Sequence, residues 1–204
     1  PGIIIRRSAV PAQPQGGKGQ VKRMNEVLRR DAEAVVRAAI DAVRPDAAVR
    51  RALARIALTE DLYLAAVGKA GWQMASAAVR YLDRPLRRGI VLTKYGHVMG
   101  EIPGVICREA GHPVPDEGSF RGAREILEMT RGLKAEDMVL FLLSGGGSAL
   151  FEEPLIPPEE LQDVTNQLLV CGADIVEMNT IRKRLSAVKG GRFARWCAPA
   201  RVEA

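Results

Sequence analysis

This sequence predicts an α/β fold: a doubly wound, mainly parallel sheet with helices on both faces. Three observations predict it. From residue 62 onward, short β-branched runs alternate with stretches of helical periodicity. The run "DMVLFLLS" (137–144) is apolar without alternation, the mark of a strand buried on both faces. Glycine-rich turns follow two of the apolar runs, at Gly68-Lys69-Ala70-Gly71 and at Ser144–Ser148.

Residues 1–23 are rich in Pro, Gly and Gln, with no sustained period, and read as a disordered or extraneous tail. The folded domain is expected over 24–204. From Met24, Val27, Leu28, Val35, Val36, Ala39, Ile40 and Val43 recur at helical spacing, and Arg44-Pro45 ends the run. Asp46 is expected to cap a second helix carrying Val49, Leu53 and Ile56. "LYLAAVGKAG" (62–71) reads as a strand entering a turn, followed by a helix from Trp72 to Leu82. "GIVLTK" (89–94) and "GVICREA" (104–110) are further strands, and "PDEGSFRGAREILEMTRG" is a capped helix ending near Gly132. After the 137–144 strand come helices over about 159–171 and 174–189, the second ending at Gly190-Gly191. Val202 opens a last strand.

The net charge of +6 suggests nucleic acid until it is located. Five of the basic residues, and no acid, lie in 1–23; the remainder holds 25 basic and 24 acidic side chains. With 4% aromatic content and no basic stripe, a nucleic-acid partner is not expected. No apolar run approaches the roughly 18–20 residues of a membrane span. The N-terminus carries no signal-peptide pattern, so the expected setting is cytoplasmic. Cys107, Cys171 and Cys197 are widely spaced and odd in number, which argues against a disulfide framework or a zinc site.

In open parallel sheets, ligands bind outside the carboxyl ends of the strands. Three loops should meet there: Gly68–Gly71, Thr93–His97 and Ser144-Gly145-Gly146-Gly147-Ser148. Consecutive glycines let successive N–H groups form an anion-binding concavity, and two serine hydroxyls add donors. A tight turn needing glycine only sterically is the alternative. Lys69 puts an ammonium at the same edge, either against a phosphoryl group or substrate anion, or simply in solvent. A nicotinamide site is disfavoured, because Gly68-x-x-Gly71 lacks the third glycine and no acid ends the second strand. On the last helix, at about 100° per residue, Met178, Ile181, Leu185 and Val188 form an apolar stripe. Asn179, Arg182, Ser186 and Lys189 form a polar stripe beside it. That border suits a cleft wall, or long side chains snorkelling off a core edge. His112 lies in a Pro-rich turn near Asp116; a substrate contact or general base competes with a locally bonded turn histidine.

The motifs "VGKAGWQMA", "LTKYGH", "EAGHPVPDEGS", "LLSGGGSALFEEP" and "VEMNTIRKRLSAVKGGRFA", in that order, resemble the N-terminal domain of the type II glycerate kinases. Some of these two-domain enzymes are labelled hydroxypyruvate reductases, and their second domain is called MOFRL. The resemblance implies a Rossmann-like three-layer domain of an enzyme that phosphorylates D-glycerate to 2-phosphoglycerate with ATP and Mg2+. Carried over by motif, Lys69 and Arg182 are the implied catalytic cations. Ser144, Gly145, Gly146, Gly147 and Ser148 form the implied phosphate cradle, and Asn179, Lys189 and Gly190 line the cleft. His112 and Asp116 complete the implied substrate site. No metal ligand is assigned.

The family continues after "APARV" into an acidic loop and the second domain, whereas this sequence stops at "CAPARVEA". The chain is therefore expected to lack the second domain, to bind anions weakly alone and to have little or no kinase activity. Its uncovered apolar face is expected to favour self-association, a homo-oligomer included. The competing reading is a non-catalytic anion or sugar-phosphate binding α/β domain.

Overall fold

The structure, a computed structural model, describes residues 18–58 and 61–204. Two compact units divide the chain, residues 1–44 and residues 45–204. In the first, helix α1 spans Lys18–Ala42. It starts ahead of the apolar pattern at Met24, because Gln, Lys and Arg are good helix formers and extend a helix without apolar partners. Residues 18–23 are thus helical rather than part of a lead-in; the expectation for 1–17 lies outside the described residues. Glu33–Arg37 at 2.7 Å and Asp41–Arg44 at 3.2 Å are neighbouring-turn pairs, of the kind worth about 0.3 kcal/mol each.

The second unit begins with α2, Pro45–Leu53, which buries Val49 and Leu53. Asp46 was expected as its cap, but Pro45 takes the first helical position, where a missing N–H costs nothing. Asp46 lies instead in the first turn and accepts a hydrogen bond from Arg80 at 2.7 Å. Then follow β1 (Leu62–Val67), α3 (Gly71–Tyr81), β2 (Arg88–Lys94), β3 (Val105–Ala110), α4 (Glu117–Met129) and β4 (Met138–Leu143). After them come α5 (Gly147–Leu150), α6 (Pro158–Val170), α7 (Ile175–Arg184), α8 (Arg192–Cys197) and β5 (Arg201–Glu203). The five strands form one sheet of order β3-β2-β1-β4-β5, every pair parallel. This is the α/β architecture expected, and Val202 does lie in a strand.

Alternate side chains of a strand point to opposite faces, and both faces here are covered. Leu62, Leu64 and Ala66 of β1 share a core with Val49 and Leu53 of α2 and Ala75 and Ala78 of α3. Ala65 and Val67 belong to the other core, with Ala123 and Ile126 of α4 and Phe193 and Cys197 of α8. That two-sided burial is why β1 and β4 are apolar without alternation. No described helix is long and apolar enough to cross a membrane.

Two departures from the sequence reading matter. The short helices α5 and α8 follow Gly146 and Gly191, both with left-handed backbone, too brief to show a period. The helix expected over 174–189 stops at Arg184. Beyond it, the N–H of Leu155 donates to Leu185 O at 2.9 Å and that of Ala187 to Glu153 O at 2.8 Å. Residues 185–187 exchange helical bonds for a distant segment, so Ser186 and Lys189 do not share a helical stripe with Asn179 and Arg182.

The chain runs outward through β1, β2 and β3, then returns to place β4 against the other side of β1. Val67 and Leu143, the last residues of β1 and β4, are register partners. The loops after these two strands are therefore neighbours at the point where strand order reverses.

Candidate functional site

Those two loops are bonded into one unit. Ser144 N–H donates to Val67 O at 2.9 Å, and Lys69 N–H to Gly145 O at 2.9 Å. The Ser144 hydroxyl accepts from Ala70 N–H at 3.0 Å and donates to Val67 O at 3.3 Å. Expected as a ligand donor, Ser144 here ties one loop to the other. Gly68 makes the approach possible: its φ is +118°, and a Cβ on it would stand 2.2 Å from Ser144 Oγ.

Above this joint the glycine loop meets two other predicted residues. A Cβ built on Gly146 would lie 2.9 Å from the His112 ring and 3.2 Å from Cγ of Lys69, and one on Gly145 would lie 3.9 Å from Cε of Lys69. Lys69, His112, Gly145 and Gly146 are therefore gathered at one rim of the sheet. Gly146 takes φ +91° and begins α5, a conformation glycine adopts without penalty. Among the described residues, the backbone N–H groups of Gly145, Gly146 and Ser148 have no hydrogen-bond acceptor. Unbonded amides beside an ammonium are a ready place for negatively charged oxygen.

His112 makes no local side-chain hydrogen bond among the described residues. Burial, and then the charges of Lys69 and Lys94, pull its pKa below the ordinary histidine value. It is thus a neutral imidazole at pH 7, able to accept a proton or a hydrogen bond. We expect its NMR titration midpoint below that of an ordinary histidine, and Lys69→Met to raise it by removing one of the causes. The depressed folded value means that folding expels a proton from this group. Its contribution to stability is complete above the unfolded value and falls as the pH drops through the folded one.

Asp116, a predicted site residue, caps α4 instead. Its carboxylate accepts from Ser119 N–H at 3.0 Å, Gly111 N–H at 3.0 Å and the Tyr95 hydroxyl at 2.9 Å. These bonds hold its pKa below the usual carboxylate value against the opposing effect of burial. Asp116 fixes the turn that presents His112 and offers little to a ligand.

The predicted residues of the last helix act from the far end of the glycine loop. Arg182 is buried and donates from Nη2 to Ser148 O at 2.9 Å, while its Nε lacks a partner. The Lys189 ammonium is bonded to the Glu152 carboxylate and to Phe151 O. Burial draws both cations below their usual pKa values, with Glu152 opposing. Ser148, Asn179, Lys189 and Gly190, with Gly147, line a cavity of about 480 Å³ floored by Phe141, Phe151 and Phe193. Arg182 thus holds the end of the loop through Ser148 O, and Lys189 holds the residues that follow α5; Ser148 is exposed and Asn179 half-buried at the cavity wall. The sequence reading missed Glu152, which is fully buried. Its one signal is an acid following "SALF", where the apolar run calls for another core residue.

Residues 31–204 match the family model described as "Domain of unknown function (DUF4147)". The D-glycerate 2-kinase of Thermotoga maritima is 50% identical over 181 residues, which is 88% of this chain and 43% of that protein. The glycerate 2-kinase of Pyrococcus horikoshii is 46% identical over 136 residues, 66% of this chain and 30% of that protein. A crystal structure of glycerate kinase from Thermotoga maritima matches with a TM-score of 0.81 at 50% identity, over 87% of this chain and 43% of that one. The chain spans less than half the length of these relatives.

Proposed function

Because this chain belongs to the glycerate kinase family, in its DUF4147 domain, we propose that it supplies the phosphate- and substrate-binding rim for phosphorylation of D-glycerate to 2-phosphoglycerate by ATP. The observation that carries this reading is the meeting of Lys69, His112 and the unbonded amides of Gly145 and Gly146 where strand order reverses. Phosphoryl transfer asks chiefly for positioning and for donors aimed at the charge on the transferring group. Lys69 would meet that charge, and the amides of Gly145, Gly146 and Ser148 would cradle phosphate oxygens. Neutral His112 would accept the hydrogen bond of a glycerate hydroxyl. Arg182 holds the cradle through Ser148 rather than touching the transferring group.

Among the described residues no cluster of three His, Cys, Asp or Glu side chains could hold a metal ion. Magnesium in phosphoryl-transfer sites rests on one or two carboxylates, waters and the substrate's phosphates, and no residue of this rim is assigned to it. In this reading the chain is the N-terminal domain, which starts within α1. The other cleft wall and the metal ligands belong to a MOFRL-type second domain, and turnover by this chain alone is expected to be low.

Calorimetry tests the proposal. ADP and ATP are expected to bind the chain, and Lys69→Met to weaken binding tenfold or more, as loss of a charge-assisted contact does. Absence of nucleotide binding at millimolar concentration would overturn the reading. Tight sugar-phosphate binding with no nucleotide binding would favour the non-catalytic module.

A further inference from the structure

Lys69 is exposed, yet its backbone is held at both ends. Its N–H donates to Gly145 O at 2.9 Å. Its carbonyl oxygen lies 2.9 Å from Nδ1 of His97, with the Thr93 hydroxyl donating more weakly from 3.5 Å. A carbonyl only accepts, so His97 carries its proton on Nδ1. The loop that brings His97 there is shaped from β3: Oε1 of Glu109 accepts the N–H of His97 and of Val98, each at 2.9 Å. These backbone bonds, Val98 first, hold the Glu109 carboxyl below its ordinary pKa. Glu109 pairs in register with Thr93 of β2, so the sheet itself sets where this carboxylate stands.

We propose that His97, backed by Glu109, is a positioning residue that fixes the backbone of Lys69 and so aims its ammonium at the glycine loop. The inference rests on the reading of Lys69 as the cation that meets phosphate. Its action is through Nδ1–H, which the neutral tautomer and the imidazolium both possess. Protonation of His97 therefore leaves the contact in place. Geometry, and not proton transfer, is the contribution of this ring.

Asparagine presents an N–H donor close to where Nδ1 stands, and alanine presents none, so the pair separates these roles. Amide hydrogen exchange reads the backbone directly. His97→Ala is expected to accelerate exchange at the Lys69 and Ala70 amides tenfold or more and to weaken ADP binding by a similar factor. His97→Asn should return both to within about twofold of wild type, and Glu109→Ala should reproduce the His97→Ala pattern. Exchange in β4, at Val139–Leu142, should stay unchanged in all three and so report an intact sheet. Unaltered exchange at Lys69 and Ala70 in His97→Ala overturns the proposal, as does failure of His97→Asn to restore it. An acid limb in ADP affinity that disappears in His97→Asn would make His97 a proton carrier and overturn it too. If wild type binds no ADP, the functional reading falls, and the exchange comparison still decides the positioning role.

Discussion

Gly68→Ala is expected to destabilise the fold by about 3 kcal/mol or more, combining an unfavourable backbone angle with overpacking. At φ +118° an alanine is strained even in open space, and this space is closed. The new Cβ would stand 2.2 Å from Ser144 Oγ, 2.5 Å from Ser144 O and 2.8 Å from Ser144 C. Two of these three atoms are backbone at the end of β4, so no rotamer change relieves the contact. The loops after β1 and β4 would have to part, losing the Lys69–Gly145 and Ala70–Ser144 bonds together. Urea denaturation measures the cost. A Gly68→Ala protein within 1 kcal/mol (roughly the scale of an ordinary substitution) of wild type would show that these loops are not joined as described.

Lys189→Met is expected to cost about 3–5 kcal/mol, the range for breaking a buried ion pair by removing one partner. Glu152 is fully buried, Oε2 faces the Lys189 ammonium, and Oε1 has no partner. Without Lys189 the carboxylate must stay charged in an apolar site or take up a proton, and either is unfavourable. Phe151 O also loses its donor. The double variant Glu152→Leu/Lys189→Met removes both charges and should recover most of the loss, since burial of the pair is itself opposed by desolvation. A double-mutant cycle by chemical denaturation checks this. Additive losses would mean that the two side chains do not act as a pair.

Local chemistry made much of this molecule legible. Apolar runs without alternation marked strands covered on both faces, and β1 and β4 are such strands. The turns that end them, rich in glycine, pointed to the strand tips, and Lys69, Gly145 and Gly146 do meet there. His112 entered as a turn residue and, through the family resemblance, as a substrate contact; the structure sets it beside Gly146. Its neutrality was not visible, because burial and the charges of Lys69 and Lys94 arise only when three loops converge.

Four of the expected site residues are held by bonds within the protein. Ser144, Arg182 and Lys189 carry donors suited to an anion, and Asp116 an acceptor suited to a hydroxyl, yet each is engaged with the protein. Ser144 bridges two loops, Asp116 caps α4, Arg182 grips Ser148 O, and Lys189 pairs with Glu152. The stripe drawn through Asn179, Arg182, Ser186 and Lys189 presumed a continuous helix, and pairing of residues 185–187 with 153–155 ended it.

By itself, then, the sequence determined the α/β class, the strand tips and the glycine turns, since periodicity and backbone freedom are properties of neighbouring residues. Only the tertiary structure decided which polar groups remain open to a ligand. A donor or acceptor satisfied by a residue 30 or 70 positions away is no longer available, and nothing within a few residues of it records that.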